Sequence, residues 1–179
     1  MARGSSVLKF EIDVSDVDRG VYESLVFEVA QHPSESEQYV VARVLAFCLE
    51  QTEGLAFSRG LAEPEDPALW VKDLTGRLLH HIEVGTPSAP RLHKASKAAD
   101  AVTIYCHKDP RPWLQSLAGQ KVHNADAIRL ITLPNKGVDA LAHALDRRNH
   151  WSLSRIDGVV FVEAAGQSHQ LEPQPLSWP

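Results

Sequence analysis

Cysteine is scarce in this chain: two residues, Cys48 and Cys106, in 179. Cys48 falls in a helical pattern and Cys106 in an apolar strand pattern. Both positions suit buried free thiols in a reducing compartment, so a cytoplasmic location is expected and a disulfide framework is not. Long hydrophobic runs are missing as well. Nothing approaches the roughly eighteen apolar residues that a spanning helix needs, so no membrane role is expected. The opening "MARGSSVLKF" has no apolar core of the signal-peptide kind. Basic charge is in deficit, with 18 Lys and Arg against 23 Asp and Glu and a formal net charge of −5. A nucleic-acid partner draws most of its affinity from phosphate neutralisation. Here it would depend on local cations: Arg59, Arg91, Lys94 and Lys97, or the separate "DRR" at Asp146 to Arg148. There is no Gly-rich phosphate loop, no internal repeat and no Ser-His-Asp arrangement. The nine histidines show no zinc-ligand spacing.

What is present is an ordinary globular composition, 44% hydrophobic and 23% charged, long enough for one domain over 1–179 with a real core. "VLKFEIDV" alternates Leu8, Phe10, Ile12 and Val14 with polar residues, the period of a half-buried strand. After the turn "SDVDRG" the alternation resumes through Leu25, Phe27 and Val29, which predicts an antiparallel pair. In "HPSESEQYVVARVLAFCLE" the period changes. Ser34 is placed to cap a helix, with Glu35 and Glu37 in its first turn and Val40, Val41, Val44, Leu45 and Cys48 as its apolar stripe, ending near Gly54. "LAFSRG" reads as a short strand.

"ALWVKDLTGRLLHHIEV" then reads as a hairpin with Asp73 and Gly76 in a type I turn. Downstream, "AVTIYC" and "DAIRLITL" read as strands. "RLHKASKAA", "DPRPWLQSLAG" and "KGVDALAHALDRR" read as helices, with Arg147 and Arg148 at the end of the last. The tail forms strands around an Asp157-Gly158 turn. The expected fold class is mixed α/β: a mixed sheet with flanking helices in the middle, antiparallel strands from both chain ends.

One carboxylate stands out. Glu83 lies near the end of an apolar strand, and the following segment carries Arg91, His93, Lys94 and Lys97. Counting equal distances from the turn puts Glu83 opposite Pro67, next to Asp66. Two carboxylates facing each other across strands repel, and a hard cation with oxygen ligands, Mg²⁺ or Mn²⁺, would relieve that. The bland alternative leaves Asp66 capping a turn and Glu83 in solvent. His80 and His81 alternate across the strand, so they cannot share a metal. His81 falls on the Glu83 face.

At "HPSESEQYVVARVLAF", "FSRGL", "DPALW", "HIEVGTP" and "RLHKA" the sequence resembles the YaeQ family, small bacterial proteins of about this length. The resemblance spans nearly the whole chain. It implies a variation on the PD-(D/E)xK nuclease fold, and from that a site. Glu35 would be the acid of the preceding helix and Asp66 the Asp of the PD motif. Glu83 would be the second acid, making Asp66 and Glu83 the metal ligands. Gly85 stands where the motif lysine belongs, and Lys94, with Lys97 in reserve, would replace it from the next helix. Family members often carry an aromatic residue where His81 stands and acids where Ser88-Ala89-Pro90 stand. The implied activity is Mg²⁺- or Mn²⁺-dependent phosphodiester hydrolysis, with Lys94 and Glu35 as catalytic groups and Arg59 and Arg91 on substrate phosphates. On that reading added cation raises the melting temperature and Glu83→Gln abolishes the rise. The rival is a binding module that keeps the fold and offers its groove to a protein or nucleic acid, with Glu83, Arg91 and Lys94 as an ion-pair network.

Overall fold

The alternation at the start of the chain becomes two eleven-residue strands, β1 (Ser6–Asp16) and β2 (Val21–Gln31), paired antiparallel from Ser6↔Gln31 to Asp16↔Val21. This is a computed structural model, and it describes residues 4–59 and 63–179. Gly60, at the end of the expected "LAFSRG" strand, lies outside the described residues. Leu8, Phe10, Ile12 and Val14 are buried as the period of two requires.

Helix α1 (Glu37–Leu49) begins two residues later than the sequence suggested. Ser36 is its cap and accepts from the Tyr39 amide at 3.1 Å, while Ser34 bonds His32 instead. Glu35 therefore precedes the helix. The helix buries Val40 to Ala46, Cys48 and Leu49. That is more than a stripe, because α1 packs in the core shared by the two sheets.

The middle of the chain alternates as expected: β3 (Leu55–Phe57), β4 (Leu69–Lys72), β5 (Leu78–Val84), α2 (Ala89–Ala98), β6 (Ala101–Cys106), α3 (Pro110–Leu117), β7 (Arg129–Thr132) and α4 (Asn135–His143). Three strands and a final short one follow: β8 (Arg148–Ile156), β9 (Val159–Ala164), β10 (Gln167–Leu171) and β11 (Gln174–Leu176). Two mixed sheets result, ordered β10-β9-β8-β1-β2 and β11-β7-β6-β5-β4-β3. Strands from the two chain ends join in one sheet, where β1 runs parallel to β8 with Ile12 beside Trp151. In the other sheet β5, β6 and β7 are parallel, with α2 and α3 packed on the face away from α1.

Two expectations change. The "DRR" segment does not end a helix: α4 stops at His143, and Arg148 opens β8. The cause is Asn149, whose side chain accepts from the Asp146 amide at 2.9 Å and donates to its carbonyl at 2.7 Å, fixing a turn there. The β4–β5 hairpin keeps its Asp73–Gly76 turn, with the Gly76 amide on the Asp73 carbonyl at 3.0 Å. An irregularity between Val71 and Lys72, however, moves the pairing to Leu69↔Ile82. Equal counting from the turn is off by one residue for that reason. Cys48 and Cys106 are buried free thiols. No helix among the described residues is long and apolar enough to cross a membrane.

Candidate functional site

Alternation along β5 sends His80, Ile82 and Val84 toward α1 and His81 and Glu83 toward α2. Gly85 follows with φ of 114°, a conformation that a side chain rarely adopts. A lysine in this place would be strained. The chain then turns into α2, capped by Ser88 with Pro90 in the first turn. That brings Arg91 back over the strand end.

Arg91 is the cation that reaches Glu83. Its Nε donates to Glu83 Oε1 at 2.6 Å, and Nη2 lies 2.5 Å from the same oxygen. Nη1 donates to the Pro64 carbonyl at 2.7 Å and Nη2 to the Asp66 carbonyl at 3.0 Å. One guanidinium thus ties together β5, α2 and the 64–66 turn. The other carboxylate oxygen of Glu83 accepts from His81 Nε2 at 3.0 Å. An ionised carboxylate only accepts, so Nε2 carries the proton. Burial pushes the Glu83 carboxyl up, but the bonds from His81 and Arg91 outweigh it and hold the pKa below the ordinary value. The bond to Glu83 raises Arg91 in turn.

The other expected site residues take separate partners. Asp66 sits on the turn before β4, not in a strand, and its carboxylate accepts from Arg59 Nε at 3.0 Å. Arg59 also reaches Glu63 at 3.5 Å. Lys94 pairs with Glu65 on the exposed rim, not with Glu83. Lys97 lies exposed in the last turn of α2. Glu35 forms a buried pair with Arg43 at 2.6 Å, both side chains being 7% exposed.

Tyr39 stands between the two acid–arginine pairs. Burial raises its phenol pKa, and it feels Arg43 and Glu35 as well as Glu83 and Arg91. Arg43 lies over its ring at 5.1 Å. His107, buried with an unpartnered Nδ1, meets the ring edge at 6.3 Å, and burial lowers its pKa. Tyr39, Arg43 and His107 were not among the expected site residues. Arg43 did carry a signal: it is the one charge inside the apolar stripe of α1.

Between the hairpin and α2 runs a groove of about 540 Å³, bordered by Trp70, Leu78, Pro90, Ala95 and Ala98, with Lys94 and Glu65 at its rim. Lys72 rests over the Trp70 ring at 3.5 Å. Among the described residues no group of three His, Cys, Asp or Glu gathers in a way that would hold a metal ion.

The family described as YaeQ protein matches residues 1–173 of this chain. The chain belongs to the YaeQ family. The crystal structure of YaeQ protein from Pseudomonas syringae is similar with a TM-score of 0.88 at 34% identity, covering 97% of this chain and 96% of that one. That from Xanthomonas axonopodis pv. citri gives 0.88 at 30% identity, covering 98% and 99%. The uncharacterized protein YaeQ of Salmonella typhi is 26% identical over 180 residues, covering 99% of this chain and 98% of its own. Two polar residues of this YaeQ chain have structural roles beside Arg91. His81 bonds Glu83, and Ser88 caps α2.

Proposed function

We propose that the groove between the β4–β5 hairpin and α2 binds a segment of a protein partner, with Glu83 and Arg91 bracing its wall. The observation that carries this reading is the closure of the charged set. Arg91 spends its donors on Glu83, Pro64 and Asp66, Arg59 is on Asp66, and Lys94 is on Glu65. What the groove presents to a partner is then Trp70, Leu78, Pro90 and Ala98, a partly apolar surface with a polar rim. A chain of net charge −5 whose groove cations Arg91 and Lys94 are paired with carboxylates, with Lys72 on the Trp70 ring, favours a protein segment over nucleic acid.

Selection of displayed peptides on the wild-type protein tests this. Selected peptides are expected to bind saturably and to lose at least about tenfold in affinity, or about 1.4 kcal/mol, in both Trp70→Ala and Ala98→Arg. A selection yielding no binder, or binders indifferent to both substitutions, would remove the groove from the account.

A second reading is Mg²⁺- or Mn²⁺-dependent phosphodiester hydrolysis on a PD-(D/E)xK nuclease-like fold, with nucleic acid as substrate. One observation favours it. Arg91 touches both the Glu83 carboxylate and the Asp66 backbone, so the two expected acids border one site. As arranged, the donors do not fit a cation. Each carboxylate is engaged by a guanidinium, and Arg91 would have to leave Glu83 first.

A further inference from the structure

We propose that the cleft where the two sheets meet, ringed by Arg19, Arg129 and Arg155, binds a small ligand that carries an oxyanion on an apolar body. This site shares no residue with the groove above. The cleft has a volume of about 590 Å³, within the range of small-molecule sites. Ile131, Pro173 and Pro175 make its apolar side, beside Ile128, Leu130 and Leu176 of the core under α2 and α3. Against it stand three guanidinium groups and one carboxylate, Asp18. The two Asp18 oxygens accept from the Asp157 and Gly158 amides, each at 2.8 Å, and Oδ2 also lies 4.0 Å from Arg155 Nε.

The three arginines come from distant segments and are held differently. Arg155, on β8, neutralises the fully buried Asp16, its Nε donating at 3.0 Å. Arg19, in the β1–β2 turn, donates only to neutral carbonyls at the end of α1: Leu49 at 2.8 Å and Gln51 at 2.9 Å. Its charge therefore meets no carboxylate. Arg129, at the start of β7, is 56% exposed and makes only long contacts, to Glu50 at 3.3 Å and Thr103 at 3.2 Å. Glu50 itself is buried and takes a 2.6 Å bond from Tyr105. A structural role thus explains Arg155 and pairs Arg129 with Glu50, but leaves the Arg19 guanidinium without a carboxylate partner.

Among the described residues, Nε of Arg19, Nε of Arg129 and Nη1 of Arg155 have no protein partner, and Arg19 and Arg129 are exposed residues. Donors that are both free and accessible, beside an apolar wall, suit a phosphate or carboxylate bound in fork geometry with its hydrophobic body on the wall.

Calorimetric titration of the full chain at low salt tests this with phenyl phosphate, benzoate, inorganic phosphate and phenol. At least one of the first two is expected to bind saturably and at least tenfold more tightly than inorganic phosphate, with no binding of phenol. Which of the two binds distinguishes a phosphate from a carboxylate ligand. Arg129→Gln and Arg19→Gln, each measured well below its melting temperature, are expected to weaken binding at least tenfold. Arg129→Lys is expected to lose less than Arg129→Gln, and Arg111→Gln, at an exposed and remote position, nothing. The proposal is overturned if neither anion binds, or if inorganic phosphate binds as tightly. It is equally overturned if both Arg129→Gln and Arg19→Gln keep wild-type affinity, or if Arg111→Gln removes binding.

Discussion

Arg43→Met is expected to destabilise the protein by about 3–5 kcal/mol, the usual consequence of leaving a buried charge without its partner. Glu35 and Arg43 are each 7% exposed and 2.6 Å apart. Arg43 also donates to the Ala30 carbonyl at 3.0 Å and lies over Tyr39. Methionine keeps the bulk of the stem but leaves the Glu35 carboxylate in a site that water scarcely reaches. For a chain of this length that loss corresponds to a fall in melting temperature of roughly 6–20 °C. Replacing both members together, as Glu35→Leu with Arg43→Met, is expected to recover most of it, since a pair of apolar residues carries no desolvation penalty. Thermal melts of the two variants check this. A single-variant loss below about 1 kcal/mol would place the pair among solvated surface bridges, and Glu35 would again be free for chemistry.

Glu83→Gln is expected to cost about 1.5–3 kcal/mol near neutral pH, the range for hydrogen bonds to a charged group, moderated by the 31% exposure of Arg91. The pH dependence has a definite sign. The folded-state pKa of Glu83 lies below the ordinary 4.5. The unfolded chain therefore takes up the proton first on acidification. The stabilisation is fully present above pH 4.5 and is lost as pH falls through the folded-state value. Urea unfolding of wild type and Glu83→Gln between about pH 3 and 7 should show a gap that is constant above that window and closes below it. A gap that widens on acidification would mean Glu83 is not held ionised by His81 and Arg91.

Much of the fold was legible because burial imposes a period. Phe10, Ile12 and Val14 had to face one way, and Val40, Val44 and Cys48 had to share a helix face. Gly85 and the Asp157-Gly158 turn carried their backbone demands in their residue types. The parallel pairing of β1 with β8 left no local trace, since it joins Ile12 to Trp151 across most of the chain. The irregularity at Val71 was equally silent, and it shifted the register that placed Pro67, next to Asp66, opposite Glu83. The site was legible in its acid, Glu83, and in having a cation supplied by the next helix. The hydrolase reading had Lys94 supply it and the binding-module reading Arg91 and Lys94 together; the structure uses Arg91 and leaves Lys94 on Glu65. A helix side chain leans toward the N-terminal end, so the first-turn Arg91 covers the strand end. A planar fork also satisfies three acceptors that one ammonium on the next turn could not span.

The measurement that bears most directly on the role of Glu83 is a thermal-shift series on wild type and Glu83→Gln, in chelator and in millimolar Mn²⁺. The ion-pair account predicts that Mn²⁺ leaves the wild-type melting temperature unchanged and that Glu83→Gln melts below wild type in chelator. A bound cation would instead stabilise the wild type through linkage, by about 2.7 kcal/mol at a hundredfold excess over its dissociation constant. A Mn²⁺-dependent rise in wild type that vanishes in Glu83→Gln, with the variant at least as stable as wild type in chelator, would contradict the account.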